Sequence, residues 1–213
     1  MINIELVMLE LGKRFTLFHS EDDFKFQLAW IIKEMYPMVI VNLERKLRPD
    51  SSDRTDLVVS DTNLQIPIEL KYKTTKLDAV INAERFILKY QGARDYARYD
   101  FLRDISRIES LVRSIDSIIE GYAIIITMDQ SILKEAQLNT NAGSFPIHQG
   151  NTIHGNYSFA EKAKEKNLAR SRTLSIKGKY QMKWYEYSRI EVSNRIESLY
   201  CLIVKVSKDS LIS

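Results

Sequence analysis

One short stretch limits what this chain can become. Asp56-Leu57-Val58-Val59 and Ile66-Pro67-Ile68-Glu69-Leu70-Lys71 are strand-forming runs joined by a brief polar turn around Thr62-Asn63. Two such runs this close in sequence pair as a β-hairpin. If the turn centres on Thr62-Asn63, where Asn tolerates left-handed backbone, Asp56 falls directly opposite Glu69. Directly opposed residues share a face, with side-chain origins about 4.5–5.5 Å apart. Strand side chains alternate with period two, so Lys71 lies on that same face, and Leu57, Val59, Leu70 and Tyr72 face the other way. The apolar residues make these strands central to a sheet, where charges need a reason. Pro67 alone has the character of an edge or bulge residue.

Two carboxylates so placed repel by about 3 kcal/mol at an effective dielectric near 20. A lysine and a divalent cation relieve that cost, and hard oxygen ligands suit Mg²⁺ or Mn²⁺. Asp56 and Glu69 become candidate metal ligands, and Lys71 becomes a candidate to orient an attacking water or stabilise developing charge. Desolvation could also lower its pKa enough for a role as base. Glu-x-Lys alone carries little weight, because Glu44-Arg45-Lys46 repeats it. That second copy has no acid across a short hairpin. The alternative reading of the face is an ordinary surface ion pair, common on antiparallel sheets.

The remaining chain sets broad limits. Its 213 residues, 45% hydrophobic, suit one domain with a real core. Cys201 is the only cysteine, which excludes an internal disulfide and leads us to expect a reducing, cytoplasmic setting. Glu5 and Glu10 break the apolar start, so no secretory signal pattern appears. The run Tyr122–Met128 is too short to span a bilayer, so no membrane partner is expected. A net charge of +3 permits a nucleic-acid partner without requiring one. Cations concentrate late: Lys162, Lys164, Lys166, Arg170, Arg172, Lys177, Lys179 and Lys183 face only Glu161 and Glu165. They form either a phosphate-contacting surface or a solvated face. No Gly-rich phosphate loop is present, which argues against intrinsic ATP use.

Periodicity supplies the elements. Ile2 to Leu11 reads as an opening strand or short helix. Ser20 caps a helix carrying Phe24, Leu28, Ile31, Ile32 and Met35 at helical spacing, stopped by Pro37. Val39–Leu43 is a strand, and the segment from Thr74 to Lys89 is ambiguous. A long helix runs from about Gln91 to Ile119, with Ala97, Phe101, Ile105, Ile108 and Val112 on one face and Gly121 ending it. Tyr122–Thr127 is a buried strand. Asn139–Asn156 reads as a long loop, a basic helix follows, and Leu199–Val206 is a final strand. The order α-β-β-β-α-β predicts the α/β class: a mixed central sheet flanked by helices. The whole chain, 1–213, reads as a single domain with its core over about 20–128 and a C-terminal elaboration over about 139–213.

Asp56 with Glu69-Leu70-Lys71, on the second and third strands of that order, resembles the PD-(D/E)XK nuclease superfamily, which has a restriction-endonuclease-like core. The resemblance extends from Ser20-Glu21-Asp22-Asp23-Phe24 through Gln91 to Tyr99-Asp100-Phe101 and covers about Ser20–Thr127. A group of uncharacterised prokaryotic proteins of this type looks similar. Thr55 stands where the family often has proline, and Pro49-Asp50 is a false match because Asp50 would not pair opposite Glu69.

The resemblance implies a Mg²⁺-dependent deoxyribonuclease, with Mn²⁺ as a substitute, acting in restriction, phage defence or DNA repair. Asp56, Glu69 and the Leu70 backbone carbonyl would ligate metal, and Lys71 would assist the water. An acid from the first core helix would join them: Glu21, with Asp23 and Glu34 as alternatives. Gln91, followed by Tyr96 or Tyr99, would complete the site. Lys73, Arg94, Tyr99, Arg170, Arg172, Lys177 and Lys179 would contact DNA. A homodimer is compatible with the sequence. The runner-up is a non-catalytic nucleic-acid-binding or protein-interaction module on the same fold.

Other residues are more ordinary. His148 and His154 lack the partners of a zinc site. Arg94, Arg98, Arg103 and Arg107 alternate with Asp95, Asp100 and Asp104, a pattern that helical ion pairs largely explain. Trp184, Tyr185 and Tyr187 could stack on bases, with core packing expected for at least two of them.

Overall fold

The computed structural model describes residues 2–138, 140–159, 170, 172–192 and 195–211. The first element resolves the opening ambiguity. Ile4, Val7, Met8 and Leu11 recur at helical spacing and are buried in helix α1, Ile4–Arg14, capped by the Asn3 side chain. Helix α2, Glu21–Met35, starts where expected, with Ser20 accepting the Asp23 N–H.

Three strands follow: β1 (Ile40–Arg45), β2 (Thr55–Ser60) and β3 (Gln65–Lys73). The ambiguous segment is a hairpin of β4 (Leu77–Ile81) and β5 (Glu84–Leu88). Its turn residues Asn82 and Ala83 both have positive φ, 51° and 66°. Without a glycine there, the usual sequence signal for such a turn is missing. Helix α3 (Arg94–Ser114) is shorter than expected at both ends. Strand β6 (Glu120–Thr127) begins before Gly121, so this glycine does not terminate the helix.

Gly121 serves packing instead. A Cβ there would lie 2.6 Å from Ile108 Cγ2 and 2.9 Å from Pro67, atoms of α3 and β3. Its missing side chain lets the helix and two strands close together. Gly121→Ala is expected to cost about 1–3 kcal/mol through overpacking. A lowered urea midpoint with an unchanged slope would show it, and an unmoved midpoint would refute the close-approach account.

The C-terminal part is built of strands: β7 (Thr152–Tyr157), β8 (Leu174–Gln181), β9 (Trp184–Val192) and β10 (Arg195–Ser207). The basic helix expected before β8 falls largely outside the described residues. From Leu174 onward the basic run is a strand, with Leu174, Ile176 and Tyr180 buried and Lys177 and Lys179 exposed. Its apolar residues recur with period two, so this part of the basic run is a strand face and not the expected helix face.

The central sheet has six strands in the order β1-β2-β3-β6-β10-β9. Only β3 and β6 are parallel; all other neighbours are antiparallel. A parallel pair needs a crossover, and the chain between them holds the β4–β5 hairpin and α3. Helices α1 and α2 share one core with Ile68, Leu70, Tyr72, Ile124 and Ile126. Helix α3 and the small β7–β8 sheet share a second core with Ala123, Ile125, Leu202 and Val204. The protein is therefore a mixed α/β fold, and its C-terminal strands complete the main sheet. Among the described residues, no helix is long and apolar enough to cross a membrane.

Candidate active site

The hairpin holds the anticipated register. Leu57 pairs with Ile68, Val58 with Pro67, Val59 with Ile66 and Ser60 with Gln65. One further step sets Asp56 against Glu69. The turn is made differently from the expectation, because Asn63 has no positive φ. Asp61 closes the loop instead, its carboxylate accepting the N–H groups of Asn63 (3.0 Å) and Leu64 (2.9 Å).

The β2–β3 ladder ends at Leu57, and the Asp56 side chain takes over from the backbone. Its Oδ2 accepts the Leu70 N–H at 2.8 Å. Its Oδ1 lies 3.2 Å from Lys25 Nζ, an amine of α2. Lys25 also pairs with Asp22 and with Glu44. Burial disfavours the charged amine, but Glu44 and Asp56 outweigh this and raise its pKa. Glu44 belongs to the discounted Glu44-Arg45-Lys46. It holds a positive φ of 51° and joins the network through Lys25.

Glu69 is 2% exposed and Asp104, from α3, is 1% exposed. Lys71 Nζ lies 3.0 Å from Asp104 Oδ2 and 4.0 Å from Glu21 Oε1, and it donates to the Leu70 carbonyl at 2.8 Å. Glu21 accepts the Tyr72 N–H at 2.8 Å. Arg107, one turn beyond Asp104, lies 3.2 Å from Glu69 Oε1 and 3.8 Å from Asp104 Oδ1. Asp56, Glu69, Glu21 and Asp104 thus gather around Lys25, Lys71 and Arg107.

This crowding fixes the protonation chemistry. Burial and repulsion from Asp104 push the Glu69 carboxyl well above the usual range, against the pull of Arg107. Burial raises Asp104 as well, against the pull of Lys71. Burial would strip the proton from Lys71, but Asp104, Glu21 and Asp56 outweigh it and raise its pKa. This direction runs against the expectation of a lowered lysine pKa and favours Lys71 as a cation and donor.

The donor set suits a hard divalent cation. Glu69 Oε1 and both Asp104 oxygens are buried, and among the described residues their neighbours are the cations Lys71 and Arg107. Together with Asp56 and the Leu70 carbonyl they are all oxygen donors, the chemistry of Mg²⁺ or Mn²⁺. Among the described residues, no three acidic, His or Cys side chains are already grouped as metal ligands. The protein's own cations hold the acids instead.

Several expected participants lie elsewhere. Glu34 forms a two-pronged ion pair with Arg14, at 2.8 and 2.9 Å. Asp23 accepts the His19 N–H and the Gln27 amide within α2. Gln91 is exposed before α3 begins, tied by its N–H to the Thr74 carbonyl, and shows no side-chain bond to the site. Tyr96 sits under Arg170, which is 4.6 Å from its ring centre. Tyr99 is 1% exposed, packed on Phe145 and Phe159, so it offers no face to a base.

The nucleic-acid candidates divide. Arg170 is bound to Asp100 at 2.8 and 3.0 Å, and Arg94 to Asp129 at 2.6 Å. Lys73 is half-buried at the end of β3, whereas Arg172, Lys177 and Lys179 are exposed. Trp184 donates its ring N–H to the Ile147 carbonyl and Tyr187 its hydroxyl to the Phe15 carbonyl, so both serve packing; Tyr185 is exposed. His154 Nδ1 is 3.1 Å from the Gly178 carbonyl, and neither it nor His148 belongs to a metal-ligand group among the described residues.

Asp104, Arg107 and Lys25 were missed. Asp104 had a legible signal: it lies three residues after Phe101 and four before Ile108, on the helix's apolar face. A carboxylate there demands a partner. Arg107 and Lys25 looked like ordinary helical charges, and only the tertiary fold gives them their partners. No family model matches the chain, and no curated protein or solved structure matches it either.

Proposed function

We propose that this protein is a Mg²⁺-dependent deoxyribonuclease with a restriction-endonuclease-like core of the PD-(D/E)XK type. The observation that carries the reading is the convergence of Asp56, Glu69 and Lys71 at the open end of one strand pair, joined by Glu21 and Asp104 from the helices on either side. Asp56, Glu69 and the Leu70 carbonyl would hold the cation. Such a cation makes a water more acidic and neutralises charge on a phosphate.

The chain's own groups would do the rest. Lys71, kept protonated, donates toward charge developing on the phosphate oxygens. Asp104 fixes that amine in place at 3.0 Å, and Glu21 approaches it from α2. Asp56 accepts the Leu70 N–H, and the Leu70 carbonyl accepts from Lys71 Nζ, so both ends of this residue's backbone are tied to the site. Arg107 offsets the charge of Glu69 at 3.2 Å, a role that a bound cation would share.

A second reading is a binding module without catalysis on the same fold. It is favoured by one observation: Arg107 and Lys25 already pair with the acids. Plasmid, linear, single-stranded and branched DNA, and RNA, incubated with Mg²⁺, Mn²⁺ or EDTA, separate the two. Cleavage that needs metal supports hydrolysis, and binding without cleavage on every substrate supports the module.

Metal binding has its own readout. A cation bound only by the folded state, at a hundred times its Kd, adds about 2.7 kcal/mol. For a chain of this size that raises the thermal midpoint by about 5–11 °C. The rise is expected in wild type and absent in Glu69→Ala. A wild-type midpoint that neither Mg²⁺ nor Mn²⁺ moves would count against the metal site.

A further inference from the structure

A cleft of about 570 Å³ opens beside the acids, between the loop before β2 and the exposed side of α3. Its lining includes Arg48, Arg103, Arg107 and Arg172, with Asp53 as the one carboxylate among the described residues. This charge is built in. Arg48 is fixed by neutral partners, the Ser110 carbonyl and the hydroxyls of Ser110 and Ser114, at 2.7–2.8 Å. Arg103 pairs with Asp100 at 3.5 Å along α3, and Arg107 with Asp104 at 3.8 Å, so the expected helical ion pairs hold for both. Arg94 and Arg98 turn instead to Asp129 and to backbone carbonyls. Even with these pairs, the described lining carries more guanidinium groups than carboxylates, which favours an anion.

Its position says which anion. Thr55, the neighbour of Asp56, lines it, and so does Arg107, which touches Glu69. A polyanion lying in the cleft would therefore run toward the acids. Its size says how much of that polyanion fits. The volume falls within the usual span of small-ligand sites, about 300–1,000 Å³. A space of this size suits a few nucleotides of one strand better than a duplex, which is wider than its own groove of about 12 Å.

We propose that this cleft seats one unpaired phosphodiester strand and leads it to Glu69, so that the substrate is single-stranded or locally opened nucleic acid. The proposal rests on the hydrolytic reading for what happens at Glu69, though strand binding can be tested without it. Arg103 and Arg172 grip the backbone, and Leu47, Leu111 and Leu174 supply apolar surface for sugars and bases.

The test is fluorescence anisotropy in EDTA, where no hydrolysis consumes the probe. A labelled oligothymidylate is compared with a duplex of equal length on wild type, Arg103→Ala, Arg172→Ala and Arg189→Ala. Arg189 is an exposed arginine on β9 outside the cleft. The single strand is expected to bind at least about tenfold tighter than the duplex. Each cleft variant should weaken it about tenfold and lower the salt slope by about 0.7. Arg189→Ala should change neither, and circular dichroism confirms folding. Equal or tighter duplex binding, or equal losses in all three variants, would overturn the cleft. Strand binding by a protein that cleaves nothing would sink hydrolysis and leave the cleft standing. Metal-dependent cleavage unaffected by either cleft variant would do the reverse.

Discussion

Lys71→Ala is expected to reduce Mg²⁺-dependent cleavage by at least about 10²–10³-fold, the usual loss when a donor to developing charge is removed. Glu69→Ala should reduce it at least as far, by removing a metal ligand. In both variants some of the effect could come from structure. Lys71 leaves behind Asp104, a buried carboxylate, and breaking such a pair costs about 3–5 kcal/mol. Two controls separate the causes. The variants should keep the wild-type circular dichroism spectrum at a temperature below their midpoints. They should also still bind the oligothymidylate, because Arg103 and Arg172 lie outside the altered contact. Cleavage that survives both substitutions, or that continues in EDTA, would mean that the chemistry is done elsewhere or by a contaminant.

The largest loss of stability without a change in the site is expected from Glu109→Ala. Glu109 is 2% exposed on α3 and reaches the small sheet. Its carboxylate accepts the N–H of Lys177 at 2.9 and 3.0 Å, that of Gly178 at 2.8 Å and the Tyr180 hydroxyl at 2.9 Å. Each bond to a charged group is worth about 1.5–3 kcal/mol. Truncation also strands the N–H groups that it served. A net loss of about 3–5 kcal/mol would lower the midpoint by about 6–20 °C. Metal-dependent cleavage measured well below that midpoint should remain. A fall of less than 1–2 °C would show that water replaces the carboxylate and that the link between α3 and β8 is weak.

The hairpin and its register were legible because a short turn centred on Thr62-Asn63 sets the pairing, and alternation then puts Leu57, Val59, Leu70 and Tyr72 on one buried face. Helix α2 was legible from Ser20 and its apolar spacing. The hairpin of β4 and β5 was not, since Asn82 and Ala83 adopt the left-handed turn without a glycine. The role of Gly121 was misread for a related reason: a glycine after a helical pattern suggests a stop, and close packing leaves no mark in local sequence. At the site, the residues on β3 were visible and those on α3 were misplaced by several turns. Gln91 and Tyr99 match a spacing of residue types in the resembled family, whereas the groups that stand beside Lys71 and Glu69 on α3 are Asp104 and Arg107. A charge at an apolar-face position was the better guide.

Tyr187 and Ser188 have a consequence for how the protein is made. Their hydroxyls bond the carbonyls of Phe15 and Thr16, at 2.8 and 2.6 Å, across 172 residues of chain. Strand β10 then lies between β9 and β6 in the sheet. Contacts of such sequence separation close late, because the loop they tie off must be ordered first. A nascent chain emerging from the ribosome would carry its acids and its hairpin long before it could seal the sheet beside them. Until β9 and β10 arrive, β6 is an unpaired edge open to other chains. Synthesis therefore has a vulnerable interval, and a chain cut short after β6 would be a candidate for aggregation rather than a smaller working protein.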